Sequence, residues 1–126
     1  MDPIALDLDV MATYLLGQAA ENPQRRASQR IDLGHQQLRM TAIGFDTGGE
    51  LPEHKNPGEA VLQVVRGLIL LTDETRSTED EARSRHVAAG TIARIPDGVH
   101  SVEALEPSVI LLTALPVPGR DEHGRH

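Results

Sequence analysis

Apolar residues near the start of the chain recur at spacings of three and four, at Leu8, Met11, Leu15 and Ala19, which is the stripe of one helix face. Asp7 or Asp9 can cap that helix. Asn22-Pro23 ends it, since Pro disfavours helical geometry in the residue before it. The polar stretch 24–30 (QRRASQR) has no period and reads as a linker. From Ile31 the period becomes two: Leu38, Met40 and Ala42 alternate with Arg39, Thr41 and Ile43, predicting a strand with one core face. Further β-rich runs follow at 60–65, 68–72, 91–95, 100–104 and 108–115, with turn chemistry at Asp46-Thr47-Gly48-Gly49, Arg66-Gly67 and Pro96-Asp97-Gly98. The charged run 73–85 reads as a solvated hairpin loop. The run 108–115 is apolar almost throughout, as a central strand buried on both faces would be.

Short strands between turn signals, after a single helix, predict an all-β antiparallel barrel or sandwich rather than an α/β sheet. The expected organisation is an N-terminal helix and linker over 1–30, a β-barrel over 31–116 and a flexible tail over 117–126.

Composition narrows this picture. With 126 residues there is room for one domain, and 39% hydrophobic against 25% charged residues is ordinary for a globular chain. Tyr14 and Phe45 are the only aromatic residues, so the core must come from 15 Leu, 9 Val and 7 Ile. The absence of Cys excludes disulfides, thiolate metal sites and cysteine nucleophiles. A net charge of −7 with one Lys argues against a nucleic-acid partner. No apolar run approaches the ~20 residues of a membrane span, and the acidic N-terminus is unlike a signal peptide. A cytoplasmic protein without membrane contact is expected. No Gly-x-Ser-x-Gly elbow and no glycine-rich phosphate loop is present.

Two glycine-framed segments carry the remaining chemistry. In the first, Gly48 is followed after five residues by His54-Lys55-Asn56, with Gly67 closing the segment. The second runs from Gly90 through Pro96-Asp97-Gly98 to His100. Together they resemble the two motifs of the cupin superfamily. The resemblance implies an RmlC-like jelly roll, an antiparallel double-stranded β-helix, here with one short N-terminal helix. Cupins also commonly pair, and the apolar helix stripe needs a surface to cover, so a homodimer is expected.

A metal-binding cupin presents His, His, Glu and His at these positions. Here the first is His54 and the last His100, while Asn56 replaces the second imidazole and Ala60 stands where the carboxylate would be. The second motif is also one residue short between Gly98 and His100. Two imidazoles and a neutral amide hold Fe, Mn, Ni or Zn poorly, so no tightly bound cofactor is expected. His35 is the candidate third imidazole. Glu59 and Glu53 neighbour motif positions, but adjacent strand residues face opposite sides. The expected pocket comprises His54, Asn56, Gln63, His100 and His35, with His54, His100 and His35 as metal candidates. His86 reads as a solvated strand end. Two functions stay open: a small-molecule-binding module, or a metal-dependent enzyme of the dioxygenase kind with a non-standard ligand set. The catalytic residues of the second are not identifiable from the sequence.

Overall fold

The computed structural model describes residues 5–55, 58–95 and 98–116, with the backbone alone at 53–55. Helix α1 (Leu8–Glu21) starts where the Asp7 carboxylate accepts hydrogen bonds from the Asp9 and Val10 N–H groups, both at 3.0 Å. It stops at Asn22, ahead of Pro23. Met11, Ala12, Leu15 and Ala19 are buried along one face.

Nine strands follow: β1 (Arg26–Ile31), β2 (Arg39–Phe45), β3 (Glu50–Lys55), β4 (Gly58–Arg66), β5 (Leu68–Asp73), β6 (Ser84–Ala88), β7 (Ile92–Arg94), β8 (Val99–Ala104) and β9 (Ser108–Pro116). They form two antiparallel sheets, in the orders β1-β2-β9-β4-β7 and β3-β8-β5-β6. The expected linker is therefore largely a strand. Arg26–Ile31 pairs residue for residue with Phe45–Met40, and this tertiary pairing overrides a polar sequence whose exposed positions need no apolar period. The barrel begins at β1 rather than at Ile31. The tail at 117–126 lies outside the described residues.

Two apolar layers share the five-stranded sheet. Between the sheets lie Ile43, Phe45, Leu62, Val64, Ile69, Leu71, Val87, Val102 and Ile110. On the outer face, Met11, Ala12 and Leu15 of α1 pack with Ile31, Ala42 and Val109. The β2 alternation thus points Met40 and Ala42 at the helix and Ile43 and Phe45 into the barrel, while Leu38 is 41% exposed. The helix stripe is covered by the chain's own sheet, so it does not call for a partner. An ion pair from Arg66 on β4 to Asp9 fastens the first helical turn.

One end of the barrel is sealed. Gly67 has φ +88, and a Cβ there would lie 2.2 Å from Ser108 Oγ, so the β4–β5 turn admits only glycine. The fully buried Ser108 hydroxyl accepts from the Leu68 N–H at 3.0 Å and lies 2.7 Å from the Glu106 carbonyl, linking the two sheets. No helix among the described residues is long and apolar enough to cross a membrane.

Candidate functional site

The opposite end of the barrel carries the polar residues. On β8, His100, Val102 and Ala104 are buried and alternate with more exposed neighbours, so all three face the interior. His100 is 1% exposed, and its Nδ1 lies 3.4 Å from the Gly98 carbonyl oxygen.

Strand β3 reaches the same level through a register shift. Leu51 is opposite Val102 and His54 opposite His100, so β3 spends one residue more than β8 between those pairs. Regular alternation from Leu51, which packs against the interior cluster, would put position 54 on the other face. The bulge around Pro52 and Glu53 makes position 54 the direct partner of the inward His100. Proline suits that place because it cannot donate to the ladder.

On its other side His100 is the cross-strand partner of Asp73. Ile69, Leu71 and Asp73 share one face of β5, and the first two belong to the interior cluster. Positions 54, 100 and 73 therefore form one row across three adjacent strands on the inner face. Cross-strand partners of this kind have Cβ atoms about 5 Å apart.

Asp73 is the member that the sequence reading missed. Its carboxylate accepts from the Thr75 hydroxyl at 2.5 Å and the Thr75 N–H at 3.0 Å, and Arg76 Nε lies 3.4 Å from its other oxygen. The Thr75 hydroxyl above all, then its N–H and the Arg76 charge, hold the Asp73 carboxyl below the usual carboxylate range against a counteracting burial effect. The loop that follows is anchored too. Glu74 receives Arg83 and the Ser101 hydroxyl, and the Glu74 N–H donates to Val99 O at 2.9 Å. Gly98 approaches this loop so closely that a Cβ would lie 2.5 Å from the Thr75 methyl carbon. A side chain at this motif position would have to displace Thr75, the residue that holds Asp73.

Other expected pocket members lie elsewhere. Gln63 alternates with the inward Leu62 and Val64 and pairs with Ile92, so it sits on the outer face of its sheet. Adjacent strand positions diverge, which is why a polar residue inside an apolar run misled the reading. His35 is half-buried in the β1–β2 connection, whose Leu33 packs with the helix-side cluster, so it is not on a strand lining the interior. Ala60 packs against the interior cluster, and its neighbour Glu59 is exposed. Asn56 lies outside the described residues. His86 is exposed on β6, opposite Leu70.

A metal centre of the family pattern is not matched by these donors. The carboxylate position is an inward alanine, and no group of three His, Asp or Glu side chains converges among the described residues.

No protein-family model matches the chain, and no curated protein does. Solved structures do. A conserved protein of unknown function from Streptococcus pyogenes is 25% identical over 76% of this chain and 78% of its own, with a TM-score of 0.61. A cupin 2 conserved barrel domain protein from Leptotrichia buccalis is 25% identical over 75% of this chain and 42% of its own, TM-score 0.61. An oxalate oxidase in complex with glycolate is 22% identical over 79% of this chain and 55% of its own, TM-score 0.57. This chain spans less than two thirds of each of the last two. Cupin superfamily and RmlC-like cupin structures share the same architecture. The chain has the cupin-type fold.

Proposed function

We propose that this cupin is a small-molecule-binding module whose ligand lies at the open end of the barrel against His100, and that it holds transition metal weakly. The observation that carries this reading is the cross-strand row at positions 54, 100 and 73, facing an interior in which Ala60 occupies the carboxylate position. A buried imidazole at the rim of an aliphatic barrel supplies a hydrogen-bonding group, while Leu51, Leu71 and Val102 supply apolar wall. Such a site orients a small polar molecule and gives a metal too few anionic donors.

The test has two arms. Protein grown with added Fe, Mn, Ni and Zn, then dialysed against a weak chelator, should carry far less than one metal per chain. A fragment screen on the metal-free protein, followed by amide NMR shifts, should produce hits at 72–75 and 98–102. Hits confined to other faces would sink the reading.

A second reading, a metal-dependent enzyme of the dioxygenase kind, draws on Asp73. In the row with positions 54 and 100, that residue is a carboxylate from β5 where the family motif would supply one from β4. It predicts close to one metal per chain, lost in Asp73→Asn. A homodimer belongs to the proposal on new grounds: Val61, Ile92 and Leu115 expose 37%, 63% and 37% of their area. Light scattering giving a 13.7 kDa species alone would reject it.

A further inference from the structure

The two sheets part where β6 ends one and β7 ends the other, and a cleft of about 680 Å3 opens there. Its floor is apolar, from Leu71, Val87 and Ala93, residues that belong to or pack against the interior cluster. Its rim carries Arg76, Arg83, Arg85 and Arg94, four of the eleven arginines of a chain whose net charge is −7. Among the described lining residues, Asp73 is the one carboxylate.

These guanidiniums are not equivalent. Arg76 is engaged by Asp73 and Asp80, and Arg83 by Glu74 and the Arg76 carbonyl. Arg85 is different. It is the cross-strand partner of the inward Leu71, which places position 85 on the inner face at the lip of the cleft. Its side chain is exposed and meets no carboxylate or other hydrogen-bonding partner among the described residues. A planar fork of five donors above an apolar floor matches a carboxylate or phosphate, which accepts two parallel N–H bonds. The cleft falls in the range of about 300–1,000 Å3 typical of organic ligands and is far roomier than a lone inorganic ion needs.

We propose that this cleft takes a small organic molecule ending in an oxyanion, with Arg85 gripping the anionic group and the apolar body lying over Leu71 and Val87. This goes beyond the barrel-mouth reading: the cleft borders that site at Asp73 but is lined by different residues, and it stands or falls separately.

The experiment titrates hexanoate, hexyl phosphate and neutral hexanamide into the isotopically labelled full chain and follows amide shifts. At least one of the two anions should saturably shift Arg85, Val87 and Ile92–Arg94, about tenfold more tightly than hexanamide. Which anion binds better distinguishes carboxylate from phosphate. Arg85→Gln should weaken that anion about tenfold with an unchanged melting temperature, and Arg85→Lys should restore part of the affinity, since it keeps the charge but not the fork. Equal binding of the amide, unaltered affinity in Arg85→Gln, or no shift from either anion overturns the proposal. Saturable shifts confined to residue 54 and 98–102 also overturn it, and leave the barrel-mouth reading standing.

Discussion

The two ends of this barrel are built from the same alternating strands and are finished in opposite ways. At the end formed by Phe45, Gly67 and Ser108, the inward side chains are aliphatic or aromatic and the buried hydroxyl is satisfied by the backbone of Leu68 and Glu106. At the end formed by positions 54, 73 and 100, the inward row is polar, and its carboxylate is held by a threonine and an arginine from a surface loop. The difference lies in where the polar partners come from. At the sealed end they are backbone groups, which pack away without a ligand. At the other end they are side chains of the loop that follows β5, Thr75 and Arg76 among them. On the function proposed above, stability is concentrated at one end and recognition at the other.

Substitutions should separate the two. Phe45→Ala empties the sealed end of a fully buried ring, and should cost about 3–5 kcal/mol in denaturant unfolding. A loss below about 1 kcal/mol would mean that the end is not packed as described. Ser108→Ala leaves the Leu68 N–H without its buried acceptor, and should cost about 1–3 kcal/mol. A Ser108→Ala loss below about 0.5 kcal/mol in denaturant unfolding would remove the hydroxyl from that role.

At the open end the effects should be smaller and pH-dependent. The Asp73 carboxyl is held below its ordinary range, chiefly by the Thr75 hydroxyl, so the folded state binds this proton less readily than the unfolded chain. Its stabilising contribution is complete above the unfolded value of about 3.9 and is lost as pH falls from there through the folded value. Asp80, held low by the Ala82 N–H and then by Arg76, adds to the same acid limb. Asp73→Asn should therefore lower the melting temperature near neutral pH and converge with the parent chain in acid. A constant gap at all pH values would remove the carboxylate from that account. Arg85→Gln should be the mildest change, within about 0.5 kcal/mol, because the side chain is exposed and unpaired among the described residues. A larger loss would mean that it braces the sheets.

Much of this was legible in the residues. The spacing of Leu8, Met11, Leu15 and Ala19 announced the helix, the period of two from Leu38 to Ile43 announced β2, and the β-rich runs at 60–65 and 100–104 announced further strands. The glycine spacings of the two motifs located the fold. Asp73 could have been found by extending the alternation Ile69, Leu71 by one step, but its place in a charged run made solvation the natural expectation. Gln63 failed for a related reason: membership of an apolar strand does not say which face a residue is on until the partner strand is known.

The sequence by itself determined the elements and the apolar faces, because helix and strand periods are local consequences of backbone geometry and of the need to bury aliphatic side chains. Only the tertiary structure decided which polar residues meet. The bulge between Leu51 and His54 turns one residue over, and no hydrophobic period records it. The pairing of β3, β8 and β5 then sets residues from three distant segments in one row, and the parting of β6 from β7 opens the arginine cleft. Register and sheet packing are long-range choices made by the whole core, and no short stretch of chain contains them.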